Sequence, residues 1–124
     1  MASYSFYLPI VSVGELNVDW MENEDQHVLT LDVPGVRTSD LVIKEVAPNV
    51  LHLEGVYKDG EILAVNPSLH AVERPRGRFI RQYKLPDNTV LAAKKVLYEN
   101  GLLHIIVPKR KLRVRNIPIM VTRL

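Results

Sequence analysis

The chain has no cysteine among its 124 residues. That excludes a disulfide framework, a thiolate nucleophile and a thiolate metal site, and it is compatible with a reducing compartment. No apolar run approaches the length of a bilayer span. The opening MASYSFYLPIVSVG lacks a positively charged start and makes a poor signal peptide. There is also no segment with helix caps and a sustained helical period. GxSxG, Walker and HExxH motifs are all missing. These absences point to a non-enzymatic, cytoplasmic protein with no membrane partner and no cofactor.

What is present is apolar content sufficient for one core. Hydrophobic residues make up 47% of the chain, which argues against disorder, and the length suits a single domain. Net charge is +2, but residues 1–62 hold 3 Lys or Arg against 11 Asp or Glu, and residues 63–124 hold 13 against 3. A basic half can serve a polyanion. In so short a chain, complementary faces meeting within the protein or between copies are the favoured reading.

The most informative stretch is Val96 to Pro108, VLYENGLLHIIVP. Asn100-Gly101 readily takes the positive φ values of a tight turn, so two strands meet there. Leu103, Ile105 and Val107 alternate onto one face and Leu102, His104 and Ile106 onto the other. Both faces are largely apolar, which predicts a strand covered on both sides. Further strands are expected at Val18–Met21, Gln26–Val33, Leu41–Val46, Val50–Val56 and Phe79–Leu85, parted by Pro- or Gly-marked turns. Leu91 to Lys95 could pass for a helical turn. The fold expected is an all-β, immunoglobulin-like antiparallel sandwich.

Candidate sites are sparse. His27, His52, His70 and His104 lie on separate strands or loops without metal-ligand spacing, so no metal site is expected and surface imidazoles are. Glu22-Asn23-Glu24-Asp25 lacks the glycine and terminal glutamate of a calcium loop. The run Lys109 to Arg115 lacks neighbouring aromatics for base stacking, so a solvated tether is preferred to nucleic-acid binding. Beyond it, Ile117-Pro118-Ile119 is a docking unit. Proline pre-sets an extended backbone, and isoleucines at i and i+2 point the same way, a form suited to a sheet edge.

Several motifs in order resemble the small heat-shock proteins, whose shared unit is the α-crystallin domain. They are Val33-Pro34-Gly35, Leu51-His52-Leu53-Glu54-Gly55, Glu73-Arg74-Pro75-Arg76-Gly77-Arg78-Phe79, Leu85-Pro86, Glu99-Asn100-Gly101-Leu102-Leu103, and the Ile-x-Ile pair Ile117 and Ile119. The look is closest to the plant and bacterial branch. The resemblance implies a short arm over 1–17, an α-crystallin-like domain over 18–109 and a C-terminal extension over 110–124.

It further implies an ATP-independent holdase that binds partly unfolded clients through exposed apolar surface, with Tyr4, Phe6, Tyr7, Leu8 and Ile10 as a client-binding arm. Leu69, His70, Ala71 and Val72 would form a strand exchanged within a homodimer. Ile117, Pro118 and Ile119 would dock on another dimer in a groove lined by Leu41, Ile43, Val96 and Leu97, giving a larger homo-oligomer. The short arm keeps a second reading open, a binding or scaffold module with little general chaperone activity. The final Thr122-Arg123-Leu124 only distantly resembles a peroxisomal tripeptide, and a nuclear address in the basic run has equally thin support.

Overall fold

Alternation of apolar and polar residues at period two builds almost everything in the structure, a computed structural model that describes residues 3–4, 7–57 and 77–110. The strands are β1 (Ser3–Tyr4), β2 (Val11–Val13), β3 (Asn17–Glu22), β4 (Gln26–Asp32), β5 (Val42–Ala47), β6 (Val50–Val56), β7 (Arg78–Lys84), β8 (Lys95–Glu99) and β9 (Leu102–Pro108). Two single 3-10 turns, Thr38–Asp40 and Leu91–Ala93, are the helical pieces among the described residues. The strands form two antiparallel sheets, β1-β3-β4-β9-β8 and β2-β7-β6-β5. The all-β sandwich expected from the sequence is the fold.

The register puts most of the strong apolar positions opposite one another, with Arg81 the charged exception. Leu29 pairs with Ile105 and Leu31 with Leu103 across β4 and β9. Leu51 pairs with Tyr83 and Leu53 with Arg81 across β6 and β7. Leu29, Leu31, Leu51, Leu53, Phe79, Leu103, Ile105 and Val107 are buried between the sheets. Each such side chain contributes roughly 1.5–3 kcal/mol of burial free energy. A one-residue slip of β9 would turn this set outward, so the register is strongly specified.

Turn chemistry matches the sequence. Asn100 and Gly101 have φ 51° and 77° and close the β8–β9 hairpin. Gly35, at φ 73°, completes the turn after Pro34, with the Val36 amide donating to the Val33 carbonyl at 3.2 Å.

Two expectations need correction. β9 is buried on one face alone. Leu102 stays exposed on the outer face, and His104 and Ile106 are half-buried there, because the second sheet lies only on the inner side. His27 is not a surface imidazole. It has the parity of Leu29 and Leu31 and is fully buried.

Gly55 explains the end of the Leu51–Gly55 motif. It sits directly opposite Phe79 on β7, and a Cβ there would overlap the Phe79 ring and press on Leu41. Gly55→Ala is therefore expected to destabilise the fold by about 1–3 kcal/mol through overpacking. Thermal unfolding followed by circular dichroism measures this, and an unchanged melting temperature would show that the ring can simply move aside.

Candidate functional site

β5 and β8 are the outer strands of opposite sheets, each with one hydrogen-bonded neighbour among the described residues. The crossing that leads from β4 to β5 is tied to β8: the Tyr98 hydroxyl donates to the Val36 carbonyl at 2.8 Å. The two open edges therefore lie on one flank of the sandwich. Both are apolar. Val42, Val46, Val96 and Tyr98 are exposed, and Leu97 is 56% exposed. Edge strands of this kind offer unpaired amides and carbonyls beside apolar surface, and proteins usually blunt them. Here β5 carries one such device, a register shift between Glu45 and Ala47.

Parity sorts the residues expected to line a groove. Ile43 pairs with Leu53, Val96 pairs with Ile105, and both point toward the interior. Leu41 and Ile43 pack against the core. Leu97 pairs with His104 and points to the outer face of its sheet. Of the residues expected to line a groove, Leu41, Ile43 and Val96 thus share the inner side, with Tyr98 on the same face as Val96, and Leu97 does not. Tyr98 was missed in the sequence, although the Asn100-Gly101 turn fixes that parity.

On the opposite flank, residues 7–14 are tied to the sandwich. β2 pairs with β7 from Val11↔Gln82 to Val13↔Ile80, and the Ile10 amide donates to the Gln82 carbonyl at 2.8 Å. Buried Arg81 donates to the Val13 and Gly14 carbonyls at 2.8 and 2.9 Å. The Tyr7 ring lies 4.3 Å from that of Trp20, against the core. Leu8 and Ile10 point outward and are 86% and 59% exposed. Among the described residues, the exposed apolar surface of the arm is therefore Leu8, Ile10 and Val13 rather than Tyr7. The side chains of Tyr4 and Phe6 lie outside the described part, as do Leu69–Val72 and Ile117–Ile119.

Beneath Tyr7 is a buried polar group. The Trp20 indole donates to His27 Nδ1 at 3.0 Å. The other ring nitrogen, Nε2, is 3.7 Å from Glu22 Oε2, which also holds Lys109 Nζ at 2.9 Å. Burial pushes the His27 pKa below the usual imidazole value of 6.5, opposed by Glu22 and assisted by Lys109. The unfolded chain thus takes up this proton first. The stability linked to neutral His27 is complete above about pH 6.5 and falls as pH drops from there toward the folded-state pKa.

The outer faces carry ordinary polar pairs. Arg78 pairs with Glu54, which His52 also approaches at 3.2 Å. Those two hydrogen bonds, Arg78 first, lower the Glu54 pKa. Thr30 and His104 meet at 3.0 Å. No group of three or more His, Asp or Glu side chains converges among the described residues. No helix among them is long and apolar enough to cross a membrane.

The comparisons agree with this geometry. The model of the Hsp20/alpha crystallin family matches residues 19–121. This chain belongs to that family. It is 32% identical over 122 residues to an 18.1 kDa class I heat shock protein of Arabidopsis thaliana, covering 96% of this chain and 75% of the relative. Over 96 residues it is 35% identical to a 16.9 kDa class I heat shock protein of Oryza sativa subsp. japonica, covering 77% and 64%. Among solved structures, a small heat-shock protein from Xylella fastidiosa superposes with TM-score 0.68 and 28% identity, over 78% of this chain and 87% of that one. The hspA protein of Xanthomonas axonopodis gives 0.67 and 28%, over 77% and 93%. The family is one of chaperones, not enzymes.

Tyr98 joins the edge to the crossing, so its hydroxyl is open to test. Tyr98→Phe should cost about 1 kcal/mol of unfolding free energy, the net worth of one hydrogen bond. Chemical denaturation would read it, and an unchanged midpoint would mean that the Val36 carbonyl finds another donor.

Proposed function

We propose that the protein is an ATP-independent holdase. In this reading it binds partly unfolded proteins through exposed apolar surface and assembles with copies of itself. The observation that carries the reading is the pair of apolar edges on one flank of an α-crystallin sandwich, each with a single strand neighbour among the described residues. A client that exposes apolar segments lowers its free energy by burying them against such surface, and no nucleotide is required. Leu8 and Ile10 add apolar surface on the other flank.

The slot lined by Leu41, Ile43, Val96 and Tyr98 is the dock for Ile117-Pro118-Ile119 of another subunit. Two isoleucines held by a pre-extended proline suit a slot between two strand edges. Leu69–Val72 is the strand exchanged within a homodimer. The small heat-shock protein from Xylella fastidiosa has a distinct high order structure, which is consistent with larger assembly here. The cytoplasm is the compartment in which such a cysteine-free chaperone would work.

One observation favours a second reading, a scaffold module with little general chaperone activity. Tyr7, an aromatic of the arm, is packed against Trp20 and is not free to engage clients.

Light scattering and an aggregation assay separate the two. The wild type is expected to be larger than a dimer and to suppress heat aggregation of a test protein without ATP. Ile117→Ala/Ile119→Ala should fall to a dimer. Dimers in both forms with no suppression would favour the scaffold, and a monomer in both would refute strand exchange.

A further inference from the structure

The cluster around His27 has a property that the proposed function does not use. An indole nitrogen can only donate, so the 3.0 Å bond from Trp20 makes His27 Nδ1 an acceptor and leaves the neutral ring's proton on Nε2. A second proton can enter only at Nδ1, the atom toward which the indole N–H already points. Two donors cannot share that line, so protonation and the Trp20 bond exclude each other. The imidazole has no exposed surface, and Nε2 makes no hydrogen bond. The charged ring is therefore without solvent and without its former partner.

Tyr7 depends on the same arrangement. Its ring lies 4.3 Å from Trp20 and 5.9 Å from His27, edge-on to the imidazole. Turning the indole or the imidazole removes the surface on which Tyr7 rests. The Tyr7 hydroxyl also donates to Glu22 Oε1 at a long 3.5 Å, and beyond Tyr7 the segment has one further hydrogen bond before β2 among the described residues, the Ile10 amide on the Gln82 carbonyl.

We propose that His27 is a proton-operated latch for residues 7–10: protonation breaks the Trp20 bond, lifts Tyr7 from the sandwich and frees the segment carrying Leu8 and Ile10. β2 itself stays, because the β7 ladder and Arg81 hold it independently. The groups that set the threshold can be named from each packed element. From the end of β3, Glu22 favours the protonated ring, and from the residue after β9, Lys109 opposes it. Lys109 also occupies the Glu22 carboxylate that would otherwise pair with His27. From β7, Tyr83 faces Trp20 edge-on at 5.1 Å and contributes a neutral ring, its pKa raised by burial. Gain of client-binding surface at acid pH rests on the holdase reading; the latch does not.

Trp20 is the single tryptophan, so its indole N–H gives one NMR resonance that reports the latch in the full-length protein. Titrated from pH 8 to 5, that resonance is expected to move with a midpoint below 6.5. Along the same curve the Ile10 amide should lose about tenfold in hydrogen-exchange protection, as a single opened hydrogen bond would give. The Leu85 amide, bonded to Asn49 elsewhere in the sandwich, should keep its protection and so separates latch opening from unfolding.

Lys109→Met should raise the midpoint and Glu22→Gln should lower it, and neither change removes a core side chain. The latch is overturned if the indole resonance stays put while the sandwich remains folded. It is overturned equally if both variants titrate like the wild type, or if the indole moves and Ile10 keeps its protection. Aggregation assays play no part in these readouts, so failure of the latch and failure of the holdase reading are told apart.

Discussion

A two-sheet sandwich cannot pair the backbone of its outermost strands, and the rest of this structure can be read as a response to that constraint. Inner strands β4, β9, β6 and β7 satisfy their amides and carbonyls on both sides and bury Leu, Ile, Val and Phe on one face. On one flank the chain covers its own edges, with β1 against β3 and β2 against β7. On the other, β5 and β8 are apolar and have no second strand partner among the described residues. An apolar open edge invites aggregation unless something occupies it. Under the proposed holdase reading the same property becomes the means of binding, because the surface that would aggregate is the surface that would recognise exposed backbone and apolar side chains.

Polar side chains inside the sandwich are concentrated where the chain crosses between sheets. Ladder hydrogen bonds are unavailable at such crossings, yet buried backbone carbonyls still need donors. Arg81 supplies them to Val13 and Gly14, Tyr57 to Glu15, and Tyr98 to Val36. Arg81 and Tyr98 stand on strands and Tyr57 directly follows β6, while the acceptors lie at the end of β2 or in a connection. Gly14 shows how tight this is: at φ 74° it lies against the Arg78 carbonyl, leaving no space for a side chain. Trp20 and His27 differ from the others, since both partners are side chains and one of them titrates. Under the proposed latch, this pair holds only while the imidazole is neutral.

Much of this was legible in the sequence, for a definite reason. Where one face is buried and the other solvated, as in Leu29-Thr30-Leu31 or Leu51-His52-Leu53, the period of two appears directly in residue type. Asn100-Gly101 and Pro34-Gly35 announced their turns because the required φ values favour those residues. His27 was misread because imidazole suits both a core and a surface, and only its parity with Leu29 distinguishes them. The docking groove was half legible. Adjacent strand residues such as Val96 and Leu97 face opposite ways, so naming both from one short run mixes two surfaces. The anchoring of Tyr7 was not legible at all, since contact with Trp20 depends on how β2 folds back onto β7.

The uneven charge then acquires a structural meaning. Lys109 meets Glu22 and Arg78 meets Glu54, so the basic second half neutralises part of the acidic first half within the domain. The remainder does not cancel there. Residues 7–57 and 77–110 together hold nine Lys or Arg against eleven Asp or Glu, whereas residues 111–124 hold four Lys or Arg and no acid. Under the proposed docking, attraction between a cationic extension and an anionic sandwich speeds encounter, and the two isoleucines hold the contact. Burying two such side chains yields roughly 3–6 kcal/mol before the cost of ordering the extension is met. One dock alone is therefore weak and quickly exchanged. Under the proposed function its strength would come from repetition across subunits, which would let an assembly stay together while single edges open long enough to take a client.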